Sequence, residues 1–232
     1  MNTSIRQLFD GESSTYTYLI IDEATRAAAL VDPVREKLDR DLGLVADLGL
    51  HLALVLETHV HADHVTSAGE LRRRTGAQTV ASHRGAACVD RPVRHGDTIT
   101  LGETTIDVLE TPGHTDDGLT YRVGADLFTG DTLLVRGCGR SDFQNGDAGA
   151  LYDAITETLF AFDDATRVWP GHDYKGFTMT TIGEERRHNP RVAGRSRPEF
   201  IALMGALGLP PPKKLAEAVP ANLACGEPAG PR

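Results

Sequence analysis

The sequence predicts an α/β (α+β) domain in which helices cover a pair of β-sheets. Short strand-like runs dominate the first part of each half of the chain, and helical segments follow each set. Gly and Asp turns separate these runs, which are of buried-strand length. A chain of 232 residues suits one such domain, since single cores stop growing at roughly 250–300 residues. We therefore expect one domain over residues 1–232, rather than an all-helical or all-β fold.

Hydrophobic periodicity and turn residues place the individual elements. The expected strands are 16–21, 27–31, 52–56, 78–81, 98–101, 104–109, 119–123, 126–128 and 167–169. The expected helices are 35–48, 66–74, 148–160, 181–187 and 198–207, the third with Asp147 as its N-cap. The run Leu209-Pro210-Pro211-Pro212 ends the last helix. Residues 209–232 are therefore predicted to be a C-terminal tail that is ordered by packing on the main body.

The composition is that of a globular protein with an acidic balance. Hydrophobic residues make up 40% and charged residues 25% of the chain. The 33 acidic and 24 basic residues give a formal net charge of −9, which argues against nucleic acid as a partner because phosphate binding depends on Lys and Arg. No run approaches the ~18 apolar residues of a membrane span, and Met1 to Asp10 contain no apolar signal-peptide core. We expect a cytoplasmic protein with no membrane partner.

The three cysteines, Cys88, Cys138 and Cys225, lie far apart and form no Cys-x-x-Cys pair. A disulfide framework is not expected in a chain of this size, and a reducing compartment fits better. Cys138 is expected to be a small buried residue rather than a nucleophile, since no histidine is adjacent in sequence. Cys225 is expected to have a structural role or none.

Five of the nine histidines lie beside Gly, Asp or Thr where strand-like runs end. Loops at the rim of a sheet are where functional side chains concentrate. In an extended segment residues two apart point the same way, so His59 and His61 can address one ion. Imidazole and carboxylate ligands suit Zn, Fe or Mn without a cysteine. The sequence therefore predicts a metal site from His59, His61, Asp63, His64, His114, Asp131 and His172.

The motif His59-Val60-His61-Ala62-Asp63-His64, with the later His114, Asp131 and His172, resembles the metal signature of the metallo-β-lactamase superfamily. Within that superfamily the chain is similar to the persulfide dioxygenases, also called sulfur dioxygenases, of the ethylmalonic-encephalopathy-protein type. The resemblance covers nearly the whole chain. Its most specific segments are Arg136-Gly137-Cys138-Gly139-Arg140 and Ala218-Val219-Pro220-Ala221-Asn222.

The resemblance implies an αββα sandwich of the metallo-β-lactamase type and a non-haem Fe(II) enzyme. Such an enzyme uses O2 to oxidise glutathione persulfide to sulfite, releases glutathione and acts in sulfide and persulfide detoxification. The family's catalytic iron ligands match His59, His114 and Asp131, with one Fe(II) per chain. Two histidines and one carboxylate leave metal positions open for O2 and substrate, and the net positive site favours an anionic persulfide. A homodimer and rhodanese-type or sulfide-oxidising pathway enzymes are the partners the resemblance suggests.

Residue types alone leave the number of metals open. In two-metal relatives, one ion is held by His59, His61 and His114, the other by Asp63, His64 and His172, and Asp131 bridges them. With one iron, His61, Asp63, His64 and His172 instead surround the ligands and support them.

Two other classes of function are weighed against the dioxygenase. A two-metal site suits a thioester hydrolase of the glyoxalase II type, in which the ions activate a bridging hydroxide. Such hydrolases carry a longer C-terminal helical domain, whereas this tail is short and ends in Ala218-Val219-Pro220-Ala221-Asn222. A non-catalytic metal or sulfur-carrier module is a third class, and the complete ligand set argues against it.

Two further residues are candidates for substrate binding. Arg140 could clamp a glutathione carboxylate, because a guanidinium fork matches that group; the alternative is an internal salt bridge that shapes its loop. Tyr174 lies two residues after His172 and could hydrogen-bond a ligand or the substrate. Its alternative is a packed tyrosine with a satisfied hydroxyl.

Overall fold

Two six-stranded mixed sheets form the centre of the structure, a computed structural model that describes residues 2–212 and 214–227. The strands of the first sheet lie side by side in chain order and are Thr3–Asp10 (β1), Thr15–Asp22 (β2), Ala27–Val31 (β3), His51–Leu56 (β4), Gln78–Ser82 (β5) and Arg91–Val93 (β6). Those of the second sheet also lie in chain order and are Thr98–Leu101 (β7), Thr104–Glu110 (β8), Leu119–Val123 (β9), Asp126–Gly130 (β10), Arg167–Pro170 (β11) and Thr180–Thr181 (β12).

Helices pack on the outer faces of both sheets. They are Leu38–Asp47 (α1), Ala68–Thr75 (α2), Ala148–Asp153 (α3), Ile182–His188 (α4), Arg197–Gly205 (α5) and Leu215–Asn222 (α6). A 3-10 turn at Arg35–Lys37 leads into α1, and a π-helical turn at Ala154–Leu159 continues α3. Asp147 accepts a hydrogen bond from the Ala150 amide, so its predicted role as the N-cap of α3 is confirmed. Of the helices within the described residues, none is long and apolar enough to span a membrane.

Strand β2 shows why both faces of a sheet are covered. Successive side chains of a strand point to opposite faces. Tyr18 and Ile20 face the core between the two sheets, whereas Leu19 and Ile21 pack beneath α1 and α2. Leu127 and Val168 of the second sheet pack in the same way beneath α3, α4 and α5. The predicted helix-covered pair of sheets, an αββα sandwich, is confirmed.

The elements that were not expected lie at sheet edges and in the tail. Strand β1 is only partly buried and carries Arg6 and Gln7, so its sequence lacks an apolar run, yet it pairs with β2 along its whole length. Helix α6 lies beyond the proline run and contains Pro220, which weakened any helical pattern there. Of the predicted tail, residue 213 and residues 228–232 lie outside the described residues.

A disulfide joins Cys88, in the connection between β5 and β6, to Cys225 after α6. The expectation that the cysteines form no disulfide was wrong. The two residues are 137 positions apart in sequence, and only the fold brings the C-terminal segment over the β5–β6 connection. The disulfide also removes the argument from cysteine spacing for a reducing compartment. Cys138 is a buried free thiol, as expected.

The predicted metal ligands follow strand ends from both sheets. His59 comes three residues after β4, Asp131 directly follows β10, and His172 comes two residues after β11. Strands β10 and β11 are parallel neighbours, so their carboxyl ends lie at one edge of the second sheet. His114 follows β8 in the same sheet. The loops of the two sheets meet at this edge and form the candidate site.

Candidate metal centre

Three of the predicted ligands converge on one point. One side-chain atom each from His59, His114 and Asp131 lies within 4.8 Å of the others. The Nε2 atom of His114 is 3.5 Å from Oδ2 of Asp131, and the rings of His59 and His114 are 4.9 Å apart between centroids. His59 is buried, and the other two are half-buried. This is the two-histidine, one-carboxylate arrangement expected of a metal site with open positions.

A buried carboxylate fixes the His59 ring through a threonine. The Thr58 hydroxyl donates to Oδ2 of Asp32 (2.8 Å), and the Thr58 amide donates to Oδ1 (2.7 Å). Because the hydroxyl hydrogen is used in this way, the 2.9 Å contact between Thr58 Oγ1 and His59 Nδ1 has the imidazole as donor. Nε2 of His59 is then the unprotonated nitrogen. Burial lowers the pKa of His59 well below its usual value, and nearby His61 and His114 add to the effect, so the ring is neutral as metal binding requires.

The loop after β10 fixes His114. Nδ1 of His114 donates to the Arg140 carbonyl at 2.6 Å, which leaves Nε2 towards Asp131. Gly139 makes this approach possible, since a Cβ there would lie 2.7 Å from Nδ1 of His114 and 2.6 Å from the Asp131 carbonyl. The Gly139 amide also donates to that carbonyl at 2.6 Å. Part of the specific segment Arg136-Gly137-Cys138-Gly139-Arg140 therefore serves to orient a ligand.

Asp131 carries a buried oxygen that lacks a hydrogen-bond donor. Within the described part of the chain, its Oδ1 is buried and has no hydrogen-bond partner. Leaving a buried carboxylate oxygen unpaired is costly, and a cation at this position would remove the cost. The donor types and this oxygen fit a divalent metal held by His59, His114 and Asp131.

His172 lies beside the carboxylates of the site. Its Nδ1 donates to the Ser14 carbonyl (3.1 Å), and its Nε2 is 3.6 Å from Oδ1 of Asp131 and 3.6 Å from Oδ2 of Asp63. Burial lowers the pKa of His172, but these two carboxylates outweigh burial and raise the pKa above its usual value. His172 thus contacts Asp131 from the side away from His114.

His61 lies next to His59 but outside the group of three converging ligands. Its Nε2 lies 3.2 Å from Oδ1 of Asp32 and 3.3 Å from Oε2 of Glu57. Burial opposes the charged form, but these carboxylates raise the pKa of His61 well above its usual value. Within the described residues, neither ring nitrogen of His61 has a hydrogen-bond partner. The donor atoms of His61 are not part of the group formed by His59, His114 and Asp131.

The side chains of Asp63 and His64 are in contact with each other. Oδ2 of Asp63 is 3.0 Å from Nδ1 of His64 and accepts from the Thr15 hydroxyl at 3.1 Å. His61, Asp63 and His64 form a second group whose donor atoms lie within 4.8 Å of one another, and Asp32, Glu57 and His61 form a third. Sequence reasoning missed Asp32 and Glu57. Both follow apolar runs that were predicted as strands, so the strand-end argument used for the histidines could have found them.

A cavity of about 550 Å³ opens beside the metal ligands. His114, Asp131 and His172 line one end, and Arg140, Tyr174 and Lys175 contribute to its walls. Sites for small organic ligands typically measure about 300–1,000 Å³. The cavity therefore has the size for a peptide-sized thiol whose sulfur approaches the metal position.

Arg140 is engaged within the protein. Its Nε and Nη2 atoms donate to the two oxygens of Asp142 (2.6 and 2.7 Å), and Nη1 donates to the Pro210 carbonyl (2.6 Å). The guanidinium also stacks on the Phe143 ring, 4.4 Å from its centroid. These contacts favour the internal salt bridge over the predicted carboxylate clamp. Arg140 shapes the loop whose carbonyl holds His114 and ties it to the cavity wall at Pro210.

Tyr174 is exposed on the cavity wall. Its side chain is 70% exposed, and its ring stacks on His172 at a centroid distance of 5.8 Å and an angle of 9°. The alternative of a buried tyrosine with a satisfied hydroxyl is therefore wrong. The hydroxyl is accessible to a bound ligand, and the contact between Tyr174 and the substrate stays a prediction.

The Asp32–Thr58–His59 chain predicts the effect of Thr58→Val. Valine keeps the shape of threonine but removes the hydroxyl that orients His59, and loss of such a supporting contact typically lowers metal affinity about 10–100-fold. Anaerobic competition with an Fe(II) chelator measures this affinity. The matched control is Thr104→Val, since Thr104 is a buried threonine that donates to the Asp22 carboxylate at the start of β8, the end away from His114. Equal Fe(II) affinities in the two variants would contradict the role of Thr58.

Comparison with known proteins places the chain among characterised relatives. The metallo-beta-lactamase superfamily description matches residues 10–87 and 89–172. Human mitochondrial persulfide dioxygenase ETHE1 is 44% identical over 225 residues, which cover 96% of this chain and 88% of the human protein. The crystal structure of ETHE1 from Myxococcus xanthus is 61% identical, with a TM-score of 0.96 over 97% of this chain and 100% of that one.

A hydrolase is also among the relatives. The hydroxyacylglutathione hydrolase of Bradyrhizobium sp. (strain BTAi1 / ATCC BAA-1182) is 37% identical over 201 residues, covering 82% of this chain and 76% of that protein. Identity and coverage are both higher for the human persulfide dioxygenase. The chain belongs to the metallo-β-lactamase superfamily and, within it, to the persulfide dioxygenase family.

Proposed function

We propose that this protein is an Fe(II)-dependent persulfide dioxygenase that acts on glutathione persulfide. In the balanced reaction, glutathione persulfide, O2 and water give glutathione, sulfite and two protons. The observation that carries the proposal is the convergence of His59, His114 and Asp131 while His61 is held by Asp32 and Glu57. This arrangement offers one metal two imidazoles and one carboxylate, the ligand set of non-haem Fe(II) oxygenases.

The residues present fit one iron. When bound, Fe(II) supplies a Lewis-acidic centre with open positions for O2 and for an anionic sulfur. His59 and His114 present their Nε2 atoms because Thr58 and the Arg140 carbonyl accept the hydrogens of their Nδ1 atoms. Nε2 of His172 lies 3.6 Å from Oδ1 of Asp131, the carboxylate oxygen that is not the one beside His114. The chain thus orients the metal ligands. Because only one of them is a carboxylate, the site with bound Fe(II) is net positive, which favours a persulfide anion.

Lys175 is the candidate for binding a glutathione carboxylate. It lines the cavity and is exposed, and its side chain has no ion-pair partner within residues 2–212 and 214–227. By contrast, Arg136 is paired with Glu184 and Glu185, and Arg191 donates to the Cys138 carbonyl. Lys175 therefore takes over the role first expected of Arg140.

The thioester hydrolase remains the second candidate, since a hydroxyacylglutathione hydrolase is a relative. Its two-metal chemistry would need His61 as a ligand together with His59 and His114. The contacts of His61 with Asp32 and Glu57 oppose this use. Both activities act on glutathione derivatives, so the shared cavity does not separate them.

The cellular role follows from the substrate. A persulfide must be made before it is oxidised, so the enzyme acts downstream of persulfide-forming enzymes of the rhodanese or sulfide-oxidising type. We propose the cytoplasm as the location and a homodimer as the assembly.

The first test of the function is the reaction itself. Protein loaded anaerobically with Fe(II) should consume one O2 and form one sulfite for each glutathione persulfide, measured with an oxygen electrode and a sulfite assay. The Asp131→Ala variant is the matched control and should show neither. Absence of O2 uptake combined with rapid hydrolysis of S-lactoylglutathione would replace the dioxygenase by the thioesterase.

A second test concerns the carboxylate contact. Lys175→Ala should raise KM for glutathione persulfide severalfold with kcat nearly unchanged, because an exposed ion pair contributes at most about 1 kcal/mol, or roughly fivefold in affinity. Arg84→Ala removes the same charge from an exposed loop residue that does not line the cavity, and its KM should match the wild type. An unchanged KM in Lys175→Ala would rule out this contact.

A further inference from the structure

The C-terminal segment, residues 214–227, reaches the metal-binding loop through one side chain. Asn222 is 4% exposed and lies at the end of α6. Its Nδ2 donates to the carbonyls of His61 (2.9 Å) and His64 (2.8 Å), and its Oδ1 accepts from the Thr66 amide (2.9 Å). One amide group thus satisfies three backbone groups of the loop that carries the His-x-His-x-Asp-His motif.

These bonds matter because the loop cannot satisfy the same groups itself. Buried backbone donors and acceptors need partners. The loop runs between β4 and α2 without regular structure, so neither a ladder nor a helix pairs the His61 and His64 carbonyls. The position of the loop, and with it that of His59, therefore depends on where Asn222 is held. This gives a physical role to the Ala218-Val219-Pro220-Ala221-Asn222 segment, which the metal ligands do not explain.

The C-terminal segment is held by close backbone approach and by a covalent bond. The Gly69 amide of α2 donates to the Cys225 carbonyl at 2.9 Å, and a Cβ on Gly69 would lie 2.8 Å from that oxygen. Gly226 has a φ of +77°, and a Cβ there would lie 2.0 Å from the Thr66 carbonyl. The Cys88–Cys225 disulfide ties this contact to the β5–β6 connection, three residues from Asn222. The disulfide is therefore the covalent anchor nearest to the metal-binding loop.

A small cavity separates this anchor from the metal ligand. His59, Asn222 and Cys225 all contribute to its lining. The cavity measures about 10 Å³, so His59, Asn222 and the disulfide lie close together around one small space.

We infer that Asn222 is a positioning residue for the metal-binding loop and that the Cys88–Cys225 disulfide keeps it seated, so that thiol reduction weakens metal binding. Cys88 is half-buried, whereas Cys225 is 2% exposed, so an incoming thiolate attacks the Cys88 sulfur. The S–S bond breaks, a mixed disulfide forms at Cys88, and Cys225 leaves as a thiolate that takes up a proton. A second thiol then displaces Cys88 as a thiol. In sum, two thiols are oxidised to one disulfide, and the protein disulfide is reduced to two cysteines.

The test starts with the thiol count of the full chain. Denatured protein that has not been reduced should titrate with one thiol, Cys138, and with three after reduction. The Fe(II) affinity is then measured anaerobically, by competition with a chelator, for the oxidised protein and for protein reduced with dithiothreitol that has been removed. Asn222→Ala should weaken Fe(II) binding about 10–100-fold, as expected for loss of a group that supports a ligand. Reduction of the wild type should also weaken Fe(II) binding, by a smaller factor.

The effects of disulfide reduction and of Asn222→Ala on Fe(II) affinity should not be additive. If the disulfide acts through Asn222, reduction has no further effect on Fe(II) affinity in Asn222→Ala, a coupling that a general loss of stability would not produce. Asn222→Asp keeps the acceptor for the Thr66 amide but loses both donors, and it should resemble Asn222→Ala. Leu223→Ala, which changes a half-exposed neighbouring side chain, should bind Fe(II) like the wild type.

Several outcomes would overturn the inference. They are three free thiols before reduction, an Fe(II) affinity of Asn222→Ala within twofold of the wild type, or additive effects of reduction and substitution. If Asn222→Ala does not fold, hydrogen exchange of the wild type decides. Peptides covering residues 60–66 and 214–227 should exchange faster after reduction, and equal rates would reject the proposed link.

Discussion

Asp32 is buried at the carboxyl end of β3, and its carboxylate holds groups that belong to the neighbouring metal-binding loop. It accepts from the Thr58 amide and hydroxyl, and it lies 3.2 Å from Nε2 of His61. The φ of Asp32 is +50°, a region that Asp tolerates better than most residues. A buried carboxylate is costly unless it is well paired, and these contacts supply the pairing. The same carboxylate thus orients His59 through Thr58 and lies beside His61.

We propose that the choice between one and two metals depends on the contacts behind the ligands. All the histidines of the His-x-His-x-Asp-His motif are present, but the contacts behind them differ. Thr58 leaves Nε2 of His59 unprotonated, whereas Asp32 and Glu57 lie beside Nε2 of His61 and raise its pKa. Likewise, the Arg140 carbonyl accepts from Nδ1 of His114 and orients its ring, and Gly139 leaves space for this contact. Fold and ligand residues are shared across the superfamily, and the supporting contacts decide the chemistry.

Much of this arrangement could be predicted from the sequence. The apolar runs and their turns were sufficient for a helix-covered pair of sheets, and the strand-end positions were sufficient for a group of seven candidate ligands. The choice of His59, His114 and Asp131 among them came from the family resemblance. The orientation of His61 could not be predicted, because its partner Asp32 lies on another strand and no local pattern joins them. The Cys88–Cys225 disulfide was missed for the same reason, since its cysteines are 137 residues apart and only tertiary packing makes them neighbours. For Arg140, the internal salt bridge was one of two predicted alternatives, and its partner Asp142 is only two residues away.

The central claim is that His59, His114 and Asp131 hold one metal, and counting metal per chain tests it most directly. The wild type, Asp131→Ala and His172→Ala would be loaded with Fe(II) under anaerobic conditions, freed of weakly bound metal and analysed for iron and protein. The wild type should hold about one iron, Asp131→Ala none, and His172→Ala close to one, because His172 supports Asp131 without belonging to the three-ligand set. Two tightly held metals in the wild type, falling to one in His172→Ala, would contradict the account and favour a hydrolase.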